Sequence, residues 1–173
     1  MEELERHFEL LSRWNKVLNL TGLRQPVEIV QRHYCESLFL GRHLPPGALR
    51  VGDVGSGAGF PGIPIAILRP ECSVALIESN QRKAVFLREA TRQVPNIRVL
   101  AMRVESVRER FDWTTSRALK FVDIEKAAAS MSDRVAVLGG SVSPSDRCFT
   151  WNTPVKLPWG SERYLWQGTL RST

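Results

Sequence analysis

One aspartate and three glycines at alternate positions stand out before anything else in the sequence: Asp53, Gly55, Gly57 and Gly59, inside the stretch VGDVGSGAGFPG that runs from Val51 to Gly62. Glycines at a strand-to-helix turn remove the β-carbon, so a ligand can lie on the chain and meet unpaired amides at the helix start. A second chemical group follows at Glu78, which ends the next apolar run, VALIE. An acid at that place can accept hydrogen bonds from ribose hydroxyls. The two features, at neighbouring carboxyl ends of a parallel sheet, indicate an adenosine-containing cofactor.

The glycines can be read in two registers. Gly57, Gly59 and Gly62 satisfy the GxGxxG spacing of a dinucleotide fold, which would make an NAD-dependent oxidoreductase. Asp53 with Gly55, Gly57 and Gly59 satisfies the hhDhGxGxG arrangement of S-adenosylmethionine-dependent methyltransferases, whose acid receives the methionine ammonium group directly or through water. Spacing inclines toward the second register without closing the first. The oxidoreductase reading also lacks an identifiable proton-transfer residue.

The elements that must position these groups are legible from periodicity. Leu4, Phe8, Leu11, Trp14 and Leu18 recur at helical spacing across residues 3–18, and Pro26 to Leu40 carries a second helical pattern closed by HLPPG. From Arg50 the chain alternates short apolar strands with helices. LRVGDV, VALIE, IRVLAM, DWTTSRA and RVAVL read as strands, and FPGIPIAILR, the stretch from Asn80 to Val94, a short piece near ESVRERF and the surroundings of IEKAAASM read as helices. That alternation predicts an α/β fold with a mostly parallel sheet covered on both faces. Residues 1–45 form a helical extension and 46–173 a Rossmann-like core, in one domain.

Composition narrows the partners. The 173 residues carry a formal charge of +6, which favours an anionic partner such as nucleic acid. No apolar run approaches the roughly 18 residues of a membrane span, and the start is acidic where a secretory signal is basic, so a cytoplasmic protein with no membrane partner is expected. Cys35, Cys72 and Cys148 lie far apart, with only His7, His33 and His43 as further soft ligands. Neither a metal site nor a disulfide framework follows, and all three cysteines are expected as free thiols.

WNKVLNLTG (Trp14 to Gly22), RHYCESL (Arg32 to Leu38), DVGSGAGFPGIPIAILRP (Asp53 to Pro70), IESNQRKAVFLRE (Ile77 to Glu89) and SRAL (Ser116 to Leu119) occur in order and at matching intervals. Together they resemble the signatures of the RsmG, or GidB, family of bacterial small-subunit (16S) rRNA guanine-N7 methyltransferases. The resemblance implies a class I methyltransferase fold, S-adenosylmethionine as cofactor, and 16S rRNA or the small subunit as partner. Carried over by position, Asp53, Gly55, Ser56, Gly57, Gly59 and Phe60 hold the methionine end and Glu78 the ribose, while Arg103, Val104 and Glu105 border the adenine. Arg117 faces cofactor and target base as a positioning group, and His33, Arg82 and Lys83 are the candidate substrate contacts.

The implied chemistry agrees with what the sequence omits. Nitrogen 7 of guanine has a free lone pair and no hydrogen, so its methylation needs no general base. Exocyclic amine methylation would bring an [ND]PP[YFW] motif where the chain reads DWTTSRAL, and pyrimidine carbon-5 methylation would want a cysteine after a proline. Arg117 has Asp112 and Asp123 as candidate ion-pair partners, and Glu78 could instead cap the following helix. Two features depart from the family pattern: Leu138 stands where relatives carry a lysine in ALKG, and the region after it leaves little room for a fifth helix. The alternative is therefore a homologue that binds S-adenosylmethionine and RNA but turns over weakly or uses another acceptor. A monomer is the default.

Overall fold

A computed structural model describes residues 2–117 and 120–171. Helix α1 spans Glu2–Leu18, and a second helical stretch is built of α2 (Pro26–Ile29), a π-helical turn (Val30–Cys35) and α3 (Glu36–His43). It runs three residues past the expected Leu40 and stops at Leu44, which lies extended because Pro45 follows it. The alternating part then gives β1 (Arg50–Val54), α4 (Gly62–Leu68), β2 (Ser73–Ile77), α5 (Gln81–Ala90), β3 (Ile97–Leu100), β4 (Trp113–Arg117), α6 (Phe121–Met131) and β5 (Arg134–Gly139). Three antiparallel strands finish it: β6 (Phe149–Trp151), β7 (Val155–Lys156) and β8 (Tyr164–Leu170).

The strands form one sheet in the order β3-β2-β1-β4-β5-β8-β6, with β7 paired to β8 beside β6. All pairs from β3 to β5 are parallel, and β8 is antiparallel to β5, in register from Arg134 with Thr169 to Gly139 with Tyr164. Chain direction across the sheet reverses between β1 and β4, which opens a crevice at their carboxyl ends. Residues of β2 and β5 alternate between two cores. Val74, Leu76, Ala136 and Leu138 face one core with α1, α3, α4 and α5, while Ala75, Ile77, Val135 and Val137 face the other with α6 and Phe149. This two-sided burial is why the strands read as continuous apolar runs.

The segment around ESVRERF corrects the expectation of a short helix. Only Val104–Ser106 winds, as a single 3₁₀ turn, and Val107 is extended. Its apolar residues Val107 and Phe111 are both buried at helical spacing, but the Phe111 and Asp112 amides donate to Met131 and Arg50 instead of to a preceding turn. Between β5 and β6, no helix occurs among the described residues.

Two polar devices lock the connections. The Asn96 side-chain amide donates to the carbonyls of Ala66 at 3.0 Å, Arg69 at 3.4 Å and Cys72 at 2.9 Å, so one residue before β3 closes the α4-to-β2 turn. His7, 1% exposed on α1, fastens the extension to the core. Its Nε2 must donate to the Ala58 carbonyl at 2.9 Å, which leaves Nδ1 to accept from the Tyr34 hydroxyl at 2.9 Å. Burial, partly offset by the bond to Ala58, pushes its pKa down to about 4.

Asn96→Ala should cost about 1–3 kcal/mol of stability in urea unfolding, because three carbonyls lose one donor group. A cost below about 0.5 kcal/mol would mean that water replaces the amide. His7 gives a pH signature. A base whose pKa is depressed on folding contributes stability that is complete above its unfolded pKa of about 6.5 and is lost as pH falls toward 4. The stability difference between wild type and His7→Gln should therefore shrink by on the order of 3 kcal/mol between pH 7 and pH 4. A pH-independent difference would contradict the buried neutral ring.

Candidate cofactor and acceptor site

The loop from Gly55 to Pro61 crosses the carboxyl end of β1 at the point where strand order reverses. Gly55, Gly57 and Gly59 have φ of 69°, 56° and 92°, a left-handed backbone that side chains disfavour. A β-carbon on Gly57 would meet nothing nearer than the Gly55 carbonyl at 3.8 Å, so it would stand in open space. The amides expected to greet a ligand are mostly claimed by the protein. Those of Gly55 and Ser56 donate to Ile77, those of Gly59 and Phe60 to Ser56, and that of Gly57 to Glu78 Oε2 at 2.9 Å. What the loop offers a ligand is chiefly its bare α-carbon surface.

Glu78 is buried just past β2 and accepts the Asn80 amide on Oε1 at 2.7 Å as well as Gly57 on Oε2. The cap of α5 is Asn80, whose side chain accepts from the Arg82 and Lys83 amides. Glu78 therefore joins the glycine loop to the helix start, and each carboxylate oxygen keeps a second lone pair. Its neighbours form a cavity of about 280 Å³ lined by Gly55, Gly57, Glu78, Lys83, Arg103, Val104 and Glu105, with Val54, Ile77, Ser79, Met102 and Ile124 completing the wall. Sequence reasoning missed Ile124 because the apolar face of α6 carries no separate signal for lining a cavity.

Asp53, Ser56, Gly59 and Phe60 do not line that cavity; they shape its loop from behind. Asp53 is fully buried, with Oδ1 accepting from the Thr115 hydroxyl at 3.1 Å and Oδ2 from the Gly62 amide at 3.2 Å. Burial pushes its pKa up to about 6 against the lowering effect of these donors. The Ser56 hydroxyl donates to the Asp53 carbonyl at 2.9 Å. Phe60 stacks on His33 with ring centroids 4.7 Å apart and meets Tyr34 edge-on at 4.9 Å.

Arg117 ends β4 beside a second cavity of about 390 Å³, which also includes Arg32, Lys120, Phe121, Leu138 and Arg163 in its wall. Neither Asp112 nor Asp123 is its partner: Asp112 pairs with Arg50, and Arg117 Nε lies 3.6 Å from Glu36. Glu36, 0% exposed on α3, also takes two bonds from Arg163, at 3.0 and 2.7 Å, and pairs with Arg32 at 3.4 Å. His33 bonds Arg117 through Nδ1, and since a guanidinium only donates, Nε2 must donate to Thr21 Oγ1 at 2.6 Å. Burial, and then the Arg117 charge, pushes the His33 pKa down to about 3, so the ring is neutral. Thr21 is itself clamped by Asn15, which accepts its amide at 2.9 Å and donates to its carbonyl at 3.1 Å. The π-helical turn, wider than an α-turn, carries Arg32 and His33 of this network, with Tyr34, the partner of His7, next to them.

The candidate residues thus divide. Lys83 faces the first cavity, whereas Arg82, the next residue on α5, lines a separate groove against Arg13, Trp14 and Val17 of α1. Of SRAL, Ala118 and Leu119 lie outside the described residues. Leu138, in place of the lysine of the family pattern, is buried in the wall of the second cavity. No helix among the described residues is long and apolar enough to cross a membrane.

The chain resembles known proteins in sequence and in fold. A family model described as "GidB: rRNA small subunit methyltransferase G" matches residues 1–137. A protein of Chromobacterium violaceum named ribosomal RNA small subunit methyltransferase G is 46% identical over 122 residues, covering 68% of this chain and 58% of its own length. One of the same name from Xanthomonas axonopodis pv. citri is 48% identical over 120 residues, covering 67% and 56%. The chain thus spans somewhat over half the length of these relatives. Its backbone resembles a solved SAM dependent methyltransferase from Aquifex aeolicus, with TM-score 0.66 at 13% identity over 88% of this chain and 97% of that one. It also resembles the ribosomal protein L11 methylase of Lactobacillus delbrueckii, with TM-score 0.62 at 16% identity over 80% and 79%. The fold is the Rossmann-like one of class I methyltransferases, and the chain belongs to the GidB family.

Proposed function

We propose that the protein binds S-adenosylmethionine in the cavity beneath the glycine loop and methylates nitrogen 7 of a guanine in 16S rRNA, in the cytoplasm. The observation that carries the reading is the meeting of Gly57 and Glu78 at the reversal of the sheet, in a chain whose family is named for rRNA methylation. The residues present fit such a cofactor. A β-carbon on Gly57 would project into open space beside the cavity, Glu78 supplies lone pairs for two ribose hydroxyls, and Ile77, Met102, Val104 and Ile124 offer apolar walls to a flat purine. At about 280 Å³ the cleft lies near the lower end of the roughly 300–1,000 Å³ usual for small-molecule sites.

When bound, the cofactor supplies an electrophilic methyl group on a sulfonium. The protein's own task is alignment. The glycine loop and Glu78 fix the donor end, Arg103 to Glu105 border the adenine, and Arg117 orients the acceptor from the adjoining strand. No base is required, in keeping with Asp53, whose oxygens are turned to Thr115 and Gly62. His33 has both nitrogens engaged and acts through Arg117 as a positioning residue. Residues 1–45 serve as an extension of a single core, since Thr21, His33 and Glu36 brace a residue of β4.

The test is transfer of labelled methyl groups from S-adenosylmethionine to unmodified small subunits or 16S rRNA, with digestion to nucleosides. Label in 7-methylguanosine is expected, and label in any other nucleoside would refute the acceptor. Gly57→Val should abolish binding of S-adenosylhomocysteine, because the branched side chain fills the ligand's place and strains a left-handed residue by about 1–3 kcal/mol. Glu78→Ala should weaken the same ligand by about 1–3 kcal/mol. Unchanged affinity in either variant would remove that residue from the site.

A further inference from the structure

The second cavity has a charge pattern that the donor site does not explain. It opens at the carboxyl ends of β4 and β5, and α6 divides it from the first cavity, giving Phe121 to one and Ile124 to the other. Arg32, Arg117, Lys120 and Arg163 reach its wall. Among the described residues one carboxylate answers them: Glu36, behind the wall, holds three guanidinia in place, whereas Lys120 has no ion-pair partner. Asp123 and Glu125 of α6 do not line the cavity, and Glu125 is taken up by Ser145 and the Cys148 amide. Four positive charges against one negative leave three uncompensated.

One further detail adds to that charge. Helix α6 begins at this cavity with Lys120 as its N-cap and no side-chain cap, so the positive end of its dipole adds to the same potential. Guanidinium forks, an ammonium and a helix start together suit a phosphate oxyanion, and Phe121, Leu138 and Val142 give the cleft apolar sides that accommodate a sugar and base.

We propose that this basin, formed by Arg32, Arg117, Lys120 and Arg163 with Glu36 as their common brace, is a phosphate-binding subsite that seats the single-stranded RNA backbone next to the nucleotide being methylated. The assignment rests on the methyltransferase reading for its acceptor, but its binding test does not require turnover. Seating the backbone there presents the target base to the first cavity across the start of α6. The four cations give binding energy, and the rigid Glu36 network gives register.

The experiment titrates a short fluorescein-labelled single-stranded RNA, and separately S-adenosylhomocysteine, into wild type, Arg32→Gln and Lys120→Gln at several salt concentrations. Each variant should bind the RNA several-fold more weakly, with the logarithmic salt slope reduced in magnitude by about 0.7 for one lost phosphate contact. Affinity for S-adenosylhomocysteine should stay within about two-fold. Lys120, which has no ion-pair partner among the described residues, guards against Arg32→Gln acting through a loosened Glu36. Weaker RNA binding with an unchanged slope would overturn the proposal, as would variants that lose S-adenosylhomocysteine while keeping RNA, because the basin would then serve the donor's carboxylate. A wild-type protein that binds S-adenosylhomocysteine but no RNA would also overturn it and leave the donor site intact. RNA binding without any S-adenosylhomocysteine binding would sink the donor reading alone.

Discussion

Three left-handed residues within five cannot keep one shape by their own preferences, so the loop between β1 and α4 depends on groups outside it. Glu78 at the end of β2 takes the Gly57 amide, Asp53 of β1 takes the Gly62 amide, and His7 of α1 donates to the Ala58 carbonyl. Each anchor is buried and stands on a different element. The conformation that bares the Gly55 and Gly57 α-carbons toward the cavity is thereby imposed by the sheet and the extension together. Glycine makes the shape affordable in backbone entropy only because those three side chains hold it.

The same dependence on remote groups governs the second cavity. Arg117 sits at the end of β4, yet its orientation comes from α3 and the segment after α1, through Glu36, His33 and Thr21. A buried carboxylate facing several guanidinia is costly to desolvate and adds little net stability, but removing one partner leaves an uncompensated charge, at about 3–5 kcal/mol. Such a network holds one arrangement firmly. It ties the helical extension, the parallel sheet and, through Arg163, the segment before β8 to one point beside the second cavity. The extension is thus part of the site's construction.

The parallel order of the sheet, the glycine loop and Glu78 were legible in the sequence because their signals are local: short apolar runs alternating with helices, a glycine cluster, an acid at a strand end; the 103–105 stretch came only with the family resemblance. Glu36 was not singled out, since its partners Arg117 and Arg163 are remote in sequence and a helix glutamate looks like any solvated acid. His7 was counted only among the few soft ligands that suggest no metal site, for the same reason. The π-helical turn has no compositional mark; Val30–Cys35 reads as ordinary helix, and only the packing of His33 and Tyr34 against Phe60 gives the wider turn a purpose. Near Val107 and Phe111 the error ran the other way. Apolar residues four apart imitate a helix, but the backbone there donates to β1 and the end of α6.

The central claim is that the glycine loop serves the register beginning at Asp53, for a sulfonium cofactor, and not the one ending at Gly62, for a dinucleotide. Isothermal titration of the protein with S-adenosylmethionine, S-adenosylhomocysteine and NAD in parallel tests it most directly. Micromolar binding of the first two with no heat from NAD is the predicted result. Binding of NAD alone, or of none of the three, would contradict it.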